Sequence, residues 1–298
     1  MKELLSKFSL KKPYKLMLPA IITLYSLIGI GVFSAVAETL EHFDQSIQLF
    51  SSSDFYLSLG LSLRLAVLST GTALVIAIGI LYGLYCLTLF TSNENKQSTL
   101  LSESLNRLFQ APMLIPYIVA GYLVFLTFGQ SGLVSRLMYA LGIINEISEF
   151  PILVNDPLGY GIVIAFVWKT MPFMVLMLYP AMLSLDNKYL EMARLFGLNP
   201  SKYFFQILIP HMAPTIAFSS FIVFAYTLTS FEIPYMLGAT YPKTIAVSAY
   251  QMYTGGTLDQ RHAALTMSLV LFILSLTLGI LAFKHASAYQ KHLKGGDD

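Results

Sequence analysis

Cysteine and charged side chains are scarce in this chain. Only one cysteine, Cys86, occurs in 298 residues, which excludes an intrachain disulfide. Charged residues make up 11% of the composition, far below the roughly 25% that is usual for a soluble globular domain. The net charge of +2 is small and gives no reason to expect a nucleic-acid partner. The shortage of charge therefore argues against an ordinary water-soluble domain.

Signatures of catalysis and of metal binding are also missing. The chain has no G-x-x-x-x-G-K-[ST] phosphate-binding loop, no H-E-x-x-H and no C-x-x-C. The five histidines are scattered along the sequence, so it predicts no metal site built from them. We therefore expect a chain that is not an enzyme and that binds no ATP, magnesium or other cofactor itself.

Long hydrophobic runs dominate what is present. Hydrophobic residues make up 56% of the chain, and its mean hydropathy is +0.67. Five uncharged runs exceed the roughly 20 residues that cross a bilayer, and a sixth is interrupted only by Lys169. The predicted spans are 16–37, 65–93, 108–135, 158–185, 203–231 and 262–283. The predicted fold class is all-α, a polytopic membrane protein with six transmembrane helices.

A single domain is predicted over residues 1–298. Its core covers about 58–283, preceded by an N-terminal segment and first helix at 1–37 and followed by a tail at 284–298. The positively charged residues set its orientation. One side is predicted to hold Lys2, Lys7, Lys11, Lys12, Lys15, Lys96, Arg107, Lys188, Arg194, Lys202, Lys284, Lys291 and Lys294, and the other Arg136, Lys243 and Arg261. This asymmetry predicts that both termini and the 186–211 loop are cytoplasmic.

The segment 186–210 has the clearest local pattern. Asp186 is predicted to cap a short helix that ends at Phe196, and Gly197 then supplies the left-handed backbone position that ends it. Asn199 followed by Pro200 is a second start signal, because it places a capping side chain before a residue suited to the first helical position. The segment is therefore predicted to be helix, sharp turn, helix.

The same segment resembles the EAA loop of ABC importer permeases. The matching positions are Glu191, Ala193, Gly197, Ile207, Ile209 and Pro210, although Met192 stands where the family has a second alanine and Ile209 where it has leucine. Three further stretches, 111–133, 167–183 and 224–238, extend the resemblance to the type I importers. The sequence of the fifth span and of the residues that follow it is most similar to the branch of the permease family that transports polyamines, ferric iron, thiamine, sulfate and phosphonate.

The resemblance implies a function and a set of partners. In that family two permeases, identical or homologous, face each other in the bacterial cytoplasmic (inner) membrane. An extracytoplasmic solute-binding protein delivers the solute, and two ABC ATPase subunits hold the ATP and magnesium. The chain is accordingly expected to be the permease that forms the solute pathway, with a small charged solute such as a polyamine.

The resemblance also assigns ATPase coupling to residues of the loop, namely Glu191, Ala193, Arg194, Gly197 and Pro210. On physical grounds, Ala193 would keep one helix face small enough to enter a groove on the ATPase. Glu191 and Arg194 lie three residues apart on a helix, so they would share a face and be able to pair.

Three residues are candidates for the solute pathway. Glu232 follows a long uncharged run and is predicted near the outer end of the fifth span, where a carboxylate would attract a cation. Lys169 lies deeper, and a charge inside the membrane usually pairs or faces a cavity. Tyr226 is an aromatic candidate for the wall of the path.

Two other classes of function fit the hydropathy. A free-standing secondary transporter or channel would work without an ATPase, and it typically shows paired half-repeats, broken helices and a midplane carboxylate. A non-transporting scaffold protein would leave the spacing of the loop unexplained. Co-purification of an ATPase distinguishes the importer from both.

Overall fold

Long apolar helices account for most of the structure. The computed structural model describes residues 14–90, 107–185 and 187–294, and every regular element in these ranges is helical. The long helices are α1 (Tyr14–Glu41), α3 (Ser53–Phe90), α7 (Tyr160–Leu183), α10 (Ile209–Thr229) and α13 (Leu258–Lys294). With the segment Tyr117–Ala140, six stretches among the described residues are long and apolar enough to cross a membrane.

Shorter helices connect and extend these spans. They are α2 (Phe43–Ser51), α4 (107–114), α5 (Tyr117–Phe128), α6 (Leu133–Ala140), α8 (Asn187–Leu195), α9 (Pro200–Tyr203), α11 (Glu232–Leu237) and α12 (Ile245–Gly255). A π-helical turn, Phe204–Leu208, joins α9 to α10, and a single 3-10 turn covers Ile147–Glu149. The predicted all-α, six-span fold class is confirmed.

Two predicted boundaries are wrong. The third span, expected as one run over 108–135, is divided at Ile115 and Pro116 and again at Gly129. Proline has no N–H to donate and disfavours a helical residue before it, so the helix stops there and restarts as α5. The second span begins at Ser53 rather than at residue 65. The charge of Arg64 does not end the helix, because its guanidinium group donates a hydrogen bond to the backbone carbonyl of Leu158.

The central helices are α3, α7 and α10. Their buried side chains form one cluster with part of the 187–208 segment, in which Leu81, Leu178 and Met212 are fully enclosed. A second cluster joins α3 and α7 to α5 and α11. By contrast, α1 packs against α13 at the edge, and the apolar window of this first span contains no buried residue.

Contacts along α3 define two ends of the bundle. Near its start, Asp54 accepts a hydrogen bond from Tyr241 at 2.8 Å, and Arg64 donates to the carbonyl of Leu158 at 2.5 Å. Near its other end, the hydroxyls of Tyr82 and Ser201 lie 2.7 Å apart. We call these the Thr240 end, which holds residues 157–160 and 238–245, and the Gly197 end, which holds residues 187–203.

Candidate functional site

The helix–turn–helix at the Gly197 end forms as the sequence predicts. Gly197 has φ +75°, and the N–H of Leu198 donates to the carbonyl of Ala193 at 3.0 Å across the turn. This six-to-one bond is the Schellman motif, which ends a helix at a left-handed residue. A Cβ added at Gly197 would meet nothing within 4 Å, so only the backbone conformation disfavours a side chain here.

The second helix begins at the predicted signal. The side-chain oxygen of Asn199 accepts a hydrogen bond from the N–H of Lys202 at 2.8 Å, and Pro200 occupies the first turn. Asp186 and the side chain of Arg194 lie outside the described residues, so the predicted cap and the predicted pair with Glu191 remain predictions. Glu191 itself is exposed.

Ala193 does not lie on the outward face of α8, where it was expected to meet the ATPase. Ala193 is only 6% exposed and belongs to the buried cluster of the chain's own core, so it does not offer a small face to a partner. The helical period explains this, because Leu190 and Ala193 lie on one face and both contact that core. The surface of α8 that faces outward is therefore the side opposite Leu190 and Ala193.

That outward surface is apolar, and we call it the α8 knob. Its members are large side chains at helical spacing, with Phe196 80% exposed and Leu195 86% exposed. The full set is Tyr189, Met192, Leu195 and Phe196. No prediction from the sequence included this surface, although the spacing of these residues was a visible signal for a second apolar face.

A π-helical turn connects the helix–turn–helix rigidly to α10. The N–H of Ile209 donates to the carbonyl of Phe204, five residues back, and Pro210 follows with no N–H of its own. Phe204 is fully buried, and its ring contacts Tyr82 with centroids 5.1 Å apart and Tyr85 at 5.5 Å. The family-pattern position Pro210 therefore lies where the loop is anchored to the core.

Lys169 caps the broken third span. Its ammonium group donates to the carbonyls of Pro112 at 2.5 Å, Met113 at 3.0 Å and Ile115, which the break at Pro116 leaves without helical partners. An ammonium group has three N–H donors, so these three acceptors use all of them. Lys169 is 2% exposed, and carbonyl dipoles compensate its charge.

Two of the three predicted pathway residues share one cavity of about 220 Å³. Lys169 and Tyr226 both line it, together with Tyr117. The rings of Tyr117 and Tyr226 lie 4.5 Å apart, and the Lys169 nitrogen lies 4.8 Å from the centre of the Tyr117 ring. The cavity is thus bounded by the break in the third span and by the C-terminal half of α10.

Glu232 lies beyond this cavity, at the start of α11. The fifth span ends at Thr229, and the hydroxyl of Ser230 donates to the Glu232 carboxylate at 2.9 Å. The carboxylate is half-buried and sits on the short helix that also carries Pro234 and Tyr235. Its position at the end of the fifth span is as predicted, whereas its function remains a prediction.

Comparison with known sequences decides the family. The profile of the binding-protein-dependent transport system inner membrane component matches residues 85–288. The chain belongs to this family. It is a permease of the type I ABC importer class, a multi-pass inner-membrane transport component and not an enzyme.

Relatives of the permease extend the match across most of the chain. A probable ABC transporter permease of Mycoplasma genitalium is 26% identical over 91% of this chain and 84% of its own length. A homologue from Mycoplasma pneumoniae is 28% identical over 71% of this chain, which spans 65% of that protein.

Solved structures share the fold of the permease. A bacterial ABC transporter for import of the acidic polysaccharide alginate has a TM-score of 0.67 at 17% identity, covering 92% of this chain and 94% of that one. A second structure, of a bacterial alginate ABC transporter in complex with an alginate pentasaccharide-bound periplasmic protein, has a TM-score of 0.65 at 20% identity, covering 90% of this chain and 91% of that one. At these identities the similarity shows the fold alone.

Proposed function

We propose that this permease forms the solute pathway of an ATP-driven importer and docks on an ATPase subunit through the α8 knob. The observation that carries the proposal is the exposure of four large apolar side chains on α8 and the turn that follows it, a segment fixed on its C-terminal side by the Gly197 turn and by the buried Phe204. Exposed apolar patches on rigid elements are typical of protein interfaces. The ATPase subunits would supply the ATP and magnesium sites.

The proposed orientation places the Gly197 end in the cytoplasm. The excess of Lys and Arg predicted on that side supports it, because cytoplasmic segments of membrane proteins are enriched in these residues. A second permease, identical or homologous, would complete the pathway across the membrane. An extracytoplasmic binding protein would deliver solute at the Thr240 end. A free-standing secondary transporter, the alternative that the hydropathy allows, gains no support from a family of binding-protein-dependent components.

Replacement of an α8 knob residue tests the docking. Phe196→Asp is expected to reduce the ABC ATPase that co-purifies with the tagged permease about tenfold or more, because a buried phenyl ring contributes roughly 1.5–3 kcal/mol. Phe43→Asp is the matched control, since Phe43 is also exposed but lies beside His42 at the start of α2. The measurement is ATPase recovered from native membranes, quantified by mass spectrometry. Equal recovery in both variants would contradict docking through the α8 knob.

The solute is proposed to be a small charged compound such as a polyamine. A spermidine/putrescine permease of Haemophilus influenzae is 31% identical over 40% of this chain and 40% of its own length. A molybdenum permease of Azotobacter vinelandii is 25% identical over 65% of this chain and 77% of that protein. The relatives therefore span cationic and other solutes, and the half-buried carboxylate of Glu232 favours the cation.

Glu232→Gln tests the charge of the solute. The substitution keeps the shape of the side chain and its contact with Ser230 but removes the negative charge. If a cation passes Glu232, we expect uptake to fall several-fold through a raised KM, because the attraction at the mouth is lost. ATPase recovery should stay at the wild-type level. Unchanged uptake of putrescine or spermidine would remove Glu232 from the pathway.

A further inference from the structure

Three side chains capable of binding a metal meet at the Thr240 end, outside the proposed pathway. Glu38 lies in the last turn of α1, His42 directly follows that helix, and His262 lies in the first turns of α13. One ligand atom from each lies within 4.8 Å of the other two. The histidines are far apart in the sequence, so their scattered distribution gave no sign of this cluster.

The contacts between these side chains are close and unusual. The rings of His42 and His262 stack with centroids 3.7 Å apart. The Nδ1 atom of His262 is buried and lies 2.7 Å from a Glu38 oxygen, yet it is not aligned for a hydrogen bond.

Two hydroxyl groups lie one helical turn after the histidines and contact their backbone carbonyls. The Ser46 hydroxyl donates to the carbonyl of His42 at 3.3 Å, and the Thr266 hydroxyl donates to the carbonyl of His262 at 3.1 Å. The two hydroxyl oxygens are themselves 3.1 Å apart, which links α2 to α13. Because these bonds are made to backbone carbonyls, they leave the ring nitrogens of both histidines unoccupied.

We propose that Glu38, His42 and His262 form a binding site for a divalent transition-metal ion, best suited to Zn²⁺. Two imidazoles and one carboxylate, completed by water, are a common ligand set for zinc. Glu38 and His42 lie four residues apart, the spacing that puts two ligands on one helical face. The third ligand comes from another helix.

The ion would tie the first span to the last. The first span packs against α13 and has no buried residue in its apolar window, so few other contacts hold it. A metal shared between α1 and α13 would stabilise this attachment at the Thr240 end. The site is separate from the α8 knob and from the cavity at Lys169, and it does not depend on the identity of the solute.

Cobalt binding tests the site directly. The full chain is purified in detergent through a tag without histidines, stripped with a chelator and titrated with Co²⁺, whose visible absorption reports tetrahedral or five-coordinate ligation. We expect one bound Co²⁺ that Zn²⁺ displaces. His262→Ala and Glu38→Gln should each weaken binding at least about tenfold, since loss of even an indirect partner of a metal ligand costs 10–100-fold.

Two variants control for residue type. His211→Ala removes the histidine that contacts the hydroxyl of Ser184 at the Gly197 end, and Glu41→Gln removes an exposed carboxylate close to the cluster. Both should bind Co²⁺ as the wild type does. If His262→Ala fails to assemble, Glu38→Gln and His42→Gln provide the same comparison. Wild-type protein without the cobalt band, or equal affinity in the wild type and the ligand variants, would overturn the proposal and leave only a close contact between His262 and Glu38.

Discussion

Gly197→Val is expected to uncouple ATP hydrolysis from uptake while the permease still inserts and folds. Gly197 has φ +75°, a left-handed conformation that costs a residue with a Cβ about 1–2 kcal/mol and a β-branched residue more. The turn should therefore open, which would rotate the α8 knob away from its docking position. We expect uptake to fall about tenfold or more, because 1.4 kcal/mol corresponds to a factor of ten.

Gly197→Asn is the matched control for this experiment. Asparagine is similar in size to valine but tolerates the left-handed region far better. A Cβ at this position meets nothing within 4 Å, so the two variants differ mainly in backbone strain and not in packing within the chain. Uptake and ATP hydrolysis are measured in proteoliposomes with the ATPase and binding protein. Normal uptake by Gly197→Val would count against coupling through this turn, and equal losses in both variants would indicate a steric effect on the partner.

Lys169→Met is expected to destabilise the permease and to abolish transport whatever the charge of the solute. The change leaves the carbonyls of Pro112, Met113 and Ile115 without their donor at the break in the third span. Each unsatisfied buried carbonyl costs roughly 1–3 kcal/mol, so the melting temperature of the purified protein should fall by several degrees.

Thr170→Val provides the comparison at the same cavity. Thr170 is buried next to Lys169, and its hydroxyl donates within its own helix to the carbonyl of Phe166 at 2.8 Å. Its replacement should cost only about 1 kcal/mol, the net value of one hydrogen bond. If Lys169→Met melts at the temperature of Thr170→Val and alters uptake alone, Lys169 acts on the solute rather than on the break.

Local signals predicted the helix–turn–helix at the Gly197 end accurately. The left-handed Gly197, the Asn199 cap and Pro200 all have their predicted roles, because each depends on backbone conformation within a few residues. Phe196 was predicted to be the last residue of the first helix, but α8 ends at Leu195 and Phe196 is in the turn. The apolar outward face of α8 was not predicted, because the family pattern drew attention to Ala193 and away from its apolar neighbours.

The sequence by itself determined the six apolar spans and the turn at Gly197, since transfer into a bilayer depends on composition and a tight turn on a few adjacent dihedral angles. Tertiary structure alone decided which face of each helix is buried, because the spans are apolar all round and carry little signal of their orientation. It also brought Lys169 to carbonyls 54 to 57 residues earlier in the chain. The meeting of His42 with His262 likewise depends on how α1 packs against α13, which no local pattern specifies.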